Sequence, residues 1–100
     1  MGVPVGNVPK DIVADQSLEA GSYLVQNNSP QIVKITMRDA ALPDPEDVKT
    51  DGNASDHTLW PAGSGSIEAM IANVEDGNAI YVWVPRTNAV ASVGVTPTGS

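Results

Sequence analysis

Apolar and polar residues alternate along much of this chain with the period of two that a half-buried β-strand requires. The clearest case is the stretch 31–38, QIVKITMR. Three apolar residues alternate there with three polar ones: Val33, Ile35, Met37 and Lys34, Thr36, Arg38. The pattern predicts a strand with one buried face and one face in water.

Similar short apolar runs recur at intervals of roughly eight to twelve residues, with turn sequences between them. They lie at 12–18, 22–26, 31–38, 57–60, 67–71, 79–85 and 89–95. The pattern predicts an all-β domain over 11–96, an antiparallel β-sandwich or small β-barrel of about seven strands, followed by a loose tail at 97–100. Asn28-Ser29-Pro30 and Gly63-Ser64-Gly65-Ser66 are typical of hairpin turns.

The run AIYVWVP at 79–85 differs from the other strands because both of its faces are apolar. One face carries Ile80, Val82 and Val84, which we expect in the domain core. The other face carries Tyr81 and Trp83 with Ala79. A two-layer sandwich covers only one face of a strand, so this second face is either a wall beneath loops or a subunit contact.

Two segments lie outside the regular pattern. Residues 1–10 combine two prolines and two glycines with isolated valines, which indicates an extended N-terminal arm. Such an arm is either a frayed terminus or a segment that docks on a neighbouring subunit. Residues 39–56 form a long acidic loop, within which a single helical turn at 39–50 is possible.

Composition narrows the classes of partner. The 100-residue chain carries a formal charge of −7, with five basic and twelve acidic residues and no cysteine. Scattered basic residues do not favour binding to nucleic acid or to an anionic membrane. The sequence also shows no signal peptide and no apolar stretch of membrane-spanning length, so we expect a soluble protein made in a cytosol.

Candidate catalytic and metal-binding patterns are weak. The acidic loop fails the EF-hand pattern, because Lys49 and Thr58 occupy ligand positions. A looser calcium site would draw on Asp44, Glu46, Asp47, Asp51 and Asp56. The single histidine, His57, has neither a cysteine nor a convergent triad to work with. We therefore expect no catalytic residues, no resident metal and no cofactor. Two glycosylation sequons, at Asn27 and Asn53, are attributed to chance.

Large apolar residues are the remaining candidates for a functional surface, because tryptophan, tyrosine and methionine are enriched at interfaces. The candidate interface residues are Tyr81, Trp83, Trp60, Leu59, Met70, Val3, Val5 and Val8. The alternatives are that the aromatic residues fill the core, or that Trp60, Tyr81 or Trp83 binds a glycan or peptide in a monomeric module.

Three stretches carry a family resemblance: LEAGSYLVQNNS, LWPAGSGSIEAMI and NAIYVWVPRTNAVASVGV. The chain resembles small β-rich structural proteins encoded in the virion gene clusters of tailed bacteriophages. The residues that carry the resemblance are Gly21, Asn27, Gly63, Trp83 and Pro85.

The resemblance implies a β-sandwich or barrel that decorates or cements a capsid, or serves as a head, tail or fibre accessory. We therefore expect a non-enzymatic virion protein, assembled in the host cytoplasm, that forms a homo-oligomer. Its expected partners are copies of itself, with a trimer favoured, and a major capsid or other virion protein.

Overall fold

The computed structural model describes residues 2–50 and 55–98. It contains eight β-strands and two short helices, so the prediction of an all-β domain is confirmed. The strands are β1 (Gly2–Val5), β2 (Lys10–Asp11), β3 (Gly21–Asn27), β4 (Val33–Arg38), β5 (Ser55–Leu59), β6 (Ala69–Val74), β7 (Ala79–Trp83) and β8 (Ala91–Pro97). The helices are α1 (Ile12–Asp15) and a 3-10 helix (Pro45–Thr50). Within the described residues, neither helix has the length or hydrophobicity to cross a membrane.

The strands form two four-stranded antiparallel sheets that pack as a sandwich. The first sheet has the order β1-β8-β3-β6 and the second has the order β2-β7-β4-β5. The pairs β1–β8, β2–β7, β3–β6 and β4–β5 are all antiparallel. Pairing of the first strand with the last, the second with the seventh and so on inward is the jelly-roll topology, an arrangement used by viral capsid and lectin domains.

This topology sorts the connections between strands to two ends of the sandwich. Residues 6–9, 28–32, 60–68 and 84–90 lie at one end, which we call the loop end. The connections that follow β2, β4 and β6 start and finish at the opposite end. The register shows the sorting directly, because Val5 at the end of β1 pairs with Ala91 at the start of β8.

The main core lies between the two sheets and consists of the inward-facing residues of both. From β7 and the residue that follows it, these are Ile80, Val82 and Val84, as the sequence predicts. In β4, Val33 and Ile35 are fully buried and Met37 is partly buried. Each fully buried aliphatic side chain contributes about 1.5–3 kcal/mol relative to exposure, so this layer is the main source of stability.

The N-terminal segment belongs to the same sandwich. Strand β1 pairs with β8, and Val3 and Val5 lie in the core, so the segment docks on its own chain. The next segment also differs from the sequence-based expectation, since residues 12–15 form α1 and not a strand. The helix forms for a local reason: the Asp11 side chain accepts a hydrogen bond from the Val13 backbone N–H at 3.0 Å and caps the helix.

The predicted hairpin at residues 28–30 is wrong, because β3 and β4 belong to different sheets. Residues 63–66 likewise connect strands of different sheets. There the Trp60 backbone N–H donates to the Ile67 carbonyl at 2.7 Å, which closes the loop locally. Gly63 and Gly65 both adopt a φ of 81°, a left-handed conformation that favours glycine.

The second apolar face of β7 is covered by the chain itself. Val48 of the 3-10 helix is 1% exposed and packs with Ala79, Tyr81 and Trp83, and Leu42 adds to this cluster. The Leu42 backbone N–H also donates to the Tyr81 hydroxyl at 2.8 Å. Residues 39–50, which contain the 3-10 helix, therefore form a packed cover on the second sheet.

Candidate interaction surface

The predicted interface residues divide into two groups. Five of them are interior: Val3, Val5, Leu59, Tyr81 and Trp83, of which Trp83 is the most exposed at 6%. In this fold they are unavailable to a partner, since the opposite sheet or the 39–50 segment already covers them. The other three retain exposed surface: Val8 at 61%, Trp60 at 42% and Met70, which is partly buried.

Exposed apolar residues concentrate at the loop end. Among the described residues, six large hydrophobic side chains are exposed: Val8, Ile32, Trp60, Ile67, Ile71 and Val90. All except Ile71 lie in the four loop-end connections. These connections also contain one acidic residue, Glu68, and one basic residue, Arg86. The loop end is therefore apolar and nearly free of charge.

Buried hydrogen bonds from Asn27 fix two of the loop-end connections. The fully buried Asn27 amide donates to the carbonyl oxygens of Gln31 at 2.6 Å, Leu59 at 3.1 Å and Trp60 at 3.1 Å. Its carbonyl oxygen accepts from the Ser29 backbone N–H at 3.0 Å and from the Ser29 hydroxyl at 2.8 Å. Because the amide is enclosed, Asn27 is not accessible as a glycosylation site in the folded chain.

The other two loop-end connections are joined in a similar way. The Asn7 side chain donates to the Val84 carbonyl at 2.9 Å, and the Val84 backbone N–H donates to the Gly6 carbonyl at 2.8 Å. A further bond joins the two connections that Asn27 holds, since the Ala62 backbone N–H donates to the Ser29 carbonyl at 3.0 Å. These bonds hold exposed apolar side chains on connections that are tied to one another.

The outer face of the first sheet extends this surface. Its strands alternate between inward and outward residues, and none of the outward residues is charged. They are Gly2, Pro4, Ser22, Leu24, Gln26, Ala69, Ile71, Asn73, Ser92, Gly94 and Thr96. We call this the uncharged face. Leu24 and Ile71 are opposite each other in the register and form its apolar centre.

Acidic residues lie elsewhere on the molecule. In the described parts of the three connections of the opposite end they are Asp15, Glu19, Asp39, Asp44, Glu46, Asp47, Glu75 and Asp76. Lys49 contacts Glu46 at 2.9 Å and donates to the Asn7 side-chain oxygen at 3.1 Å, so it ties the covering segment to the body. The described surface is thus divided between an acidic side and an uncharged side, the latter made of the uncharged face and of the loop end with its single Glu68 and Arg86.

A groove runs along the open side of the sandwich, where the edge strands β5 and β6 face each other. It encloses about 530 Å³ and is lined by His57, Thr58, Leu59, Trp60, Ile67 and Met70. Trp60 is the one described aromatic side chain that is exposed, since Tyr23, Tyr81 and Trp83 are buried. An apolar groove with a few polar groups has the character of a binding surface.

Metal-binding geometry does not emerge from the residues that are described. Across 2–50 and 55–98, no three histidine or carboxylate side chains are grouped closely enough to hold an ion. Of the looser calcium set, Asp51 lies outside the described residues, as does the side chain of Asp56. The sequon at Asn53 also lies outside them.

Comparison with known proteins adds no relative. No protein-family model matches the chain, and no curated protein or solved structure matches it.

Proposed function

We propose that this chain is a non-enzymatic virion structural protein of a tailed bacteriophage. It acts as a homo-oligomeric decoration, cement or head–tail accessory subunit that attaches to a capsid or another larger assembly. The single observation that carries the proposal is the division of the surface into an uncharged side and an acidic side. The jelly-roll topology adds an analogy at the level of fold, because viral capsid domains use it.

The area that a stable interface requires favours an interface that uses both the uncharged face and the loop end. The four strands of the uncharged face contain 24 residues in all, and at about 3.4 Å per residue and about 4.8 Å between strands they present roughly 390 Å² in projection. A stable protein–protein interface needs about 800 Å² from each partner. The uncharged face alone is therefore too small, which favours an interface that also includes the apolar loop end.

The test uses particles of the virus that encodes the chain, prepared without it, to which purified protein is added back. We expect the wild-type protein to co-sediment with the particles. Thr96→Glu places a charge on the exposed uncharged face and should abolish co-sedimentation. Thr50→Glu makes the same chemical change on the acidic covering segment and should leave it intact.

Absence of the wild-type chain from the particles, or equal binding of the two variants, would contradict the proposal. Light scattering of the free protein tests the homo-oligomer separately, with a trimer expected. A protein that remains monomeric at high concentration would remove that part of the proposal while leaving attachment to the particle open to its own test.

Trp60 favours a second candidate function, a monomeric module that binds a glycan or peptide. The exposed indole stands beside the open groove, as a stacking platform would. Binding of an oligosaccharide would shift tryptophan fluorescence, and Trp60→Ala would remove the shift. Such a response in a protein that stays monomeric would favour this candidate over the virion subunit.

A further inference from the structure

Strand β6 is an edge strand that lacks the usual protection against pairing with another chain. Natural edges are blocked by proline, by charged residues or by short length. Of the other edges in the described fold, β1 contains Pro4 and β2 has two residues, Lys10 and Asp11. Strand β5 contains Asp56. The six residues of β6, AMIANV, include neither proline nor charge.

The free edge of β6 presents a regular set of backbone groups. Hydrogen-bonded and non-hydrogen-bonded pairs alternate in an antiparallel ladder. The Asn27 backbone N–H donates to the Glu68 carbonyl at 2.8 Å, which sets the phase of the ladder between β3 and β6. Ala69, Ile71 and Asn73 therefore direct their N–H and C=O groups away from β3, towards the open edge.

A strand added at this edge would also have a place for its side chains. Its inward residues would point between the two sheets, as Met70 does, and enter the groove described above. Trp60 and Ile67 line that groove from the loop end. Strand addition of this kind derives affinity from main-chain hydrogen bonds and specificity from pockets for alternate side chains.

Charges at the two ends of β6 identify the kind of strand that fits. Glu68 immediately precedes the strand, and Glu75 and Asp76 immediately follow it. A second copy paired antiparallel about the strand centre would bring Glu68 near Glu75 or Asp76 of its neighbour. Parallel pairing would place Glu68 beside Glu68. Like charges opposite each other destabilise both arrangements.

We propose that the β6 edge binds an extended segment of a different protein, with apolar residues at alternate positions and basic residues at both ends. The segment adds a fifth strand to the first sheet, and its basic ends lie next to Glu68 and to Glu75 and Asp76. This site adjoins the uncharged face, to which Ile71 belongs, and the loop end, which supplies Trp60 and Ile67. The proposal does not depend on the virion role.

The probe is a fluorescent synthetic peptide of about eight residues, with alternating valine and threonine and lysines at both ends. A control peptide has the same centre and glutamates at both ends. Fluorescence anisotropy should show binding of the lysine peptide and about tenfold or greater weakening for the glutamate peptide. Bound lysine peptide should slow amide exchange at Ile71 and Asn73. Equal affinity of the two peptides, or slowed exchange at β5 alone, would overturn the proposal.

Substitutions on the edge separate the backbone contribution from the side chain. Ile71→Pro removes an outward N–H and keeps every bond to β3, so affinity should fall about tenfold. Ile71→Thr keeps the N–H and should bind within about threefold of wild type. Comparable loss in both variants would contradict pairing through the backbone.

A charge-reversed variant keeps the test valid if Ile71→Pro does not fold. Glu75→Lys should weaken binding of the lysine peptide, and added salt should reduce the difference from wild type. Asp47→Lys makes the same charge reversal at an exposed position of the covering segment on the other sheet and should bind normally. Equal effects of the two reversals would overturn the assignment, as would a dimer in sedimentation that Ile71→Pro dissolves.

Discussion

Replacing Asn27 with aspartate tests whether its buried amide organises the loop end. The substitution preserves shape but puts an oxygen where the amide nitrogen donates to three carbonyls, those of Gln31, Leu59 and Trp60. Leaving a buried charge without its partners costs about 3–5 kcal/mol. A domain of this size has about 5–15 kcal/mol of stability in total, so the variant should be strongly destabilised.

Asn28→Asp is the matched control, because the neighbouring side chain is exposed and the chemical change is identical. Its cost should stay within about 0.5 kcal/mol. Urea unfolding followed by tryptophan fluorescence measures both variants. With a slope near 2 kcal/mol per molar urea, the midpoint of Asn27→Asp should fall by about 2 M.

The pH dependence of the unfolding free energy is a second test that compares Asn27→Asp with Asn28→Asp. The carboxyl introduced at position 27 is buried beside carbonyl oxygens, which raises its pKa above that of the exposed carboxyl at position 28. A raised folded pKa means that destabilisation is greatest at high pH and declines as the group is protonated. The difference in unfolding free energy should therefore shrink towards pH values of about 4. Equal stability of the two variants at neutral pH would refute the role assigned to Asn27.

Other substitutions test the cover over the second sheet and the apolar loop end. Val48→Asp should open the cover, shift Trp83 emission to longer wavelength and reduce stability by about 3 kcal/mol. Trp83→Ala should cost about 3–5 kcal/mol in urea unfolding, whereas Trp60→Ala should cost less than about 1 kcal/mol. Gly94→Ala should stay within about 0.5 kcal/mol of wild type, because the added Cβ comes close only to the Asn28 side-chain nitrogen, at 2.8 Å, and that exposed side chain can move aside.

Much of the fold follows from local patterns in the sequence. Alternation in β4 is strong because one side of the strand packs on the core, and turn residues mark the boundaries. In β6 the alternation is weak, since Met70, Ala72 and Val74 face the core while the apolar Ile71 lies outward. The strand of residues 12–18 was predicted wrongly because apolar content alone does not distinguish a strand from one helical turn. The capping hydrogen bond from Asp11 decides in favour of α1.

Which strands pair with each other is harder to predict from this sequence than where the strands lie. A turn sequence such as Asn28-Ser29-Pro30 shows that the chain reverses, but not whether it returns to the same sheet. Here the buried Asn27 side chain donates to the carbonyls of Gln31 and Trp60, which lie in two connections, and so favours the crossing to the second sheet. One signal was available in the sequence: Asn27 ends a strand at a position whose alternation places it inward.

The location of the candidate surface could not be predicted from the pattern of any single strand either. The sequence indicates that Tyr81 and Trp83 need a cover, and it leaves open whether loops or a subunit contact supplies that cover. Val48 and Leu42 lie in a segment rich in proline and acidic residues, where two isolated apolar residues give no periodic signal. The uncharged face, conversely, depends on four strands that are far apart in sequence.

The two sheets differ as docking surfaces because a partner would remove charged groups from water on one of them and not on the other. A partner placed on the second sheet would cover the segment that carries Asp44, Glu46 and Asp47, and each carboxylate removed from water costs several kcal/mol unless it is paired. A partner placed on the uncharged face removes no formal charge from water. Because the covering segment already closes the apolar side of β7, docking through the second sheet would gain little apolar area against that cost. The same segment that buries Tyr81 and Trp83 therefore leaves the first sheet as the sheet face suited to a partner.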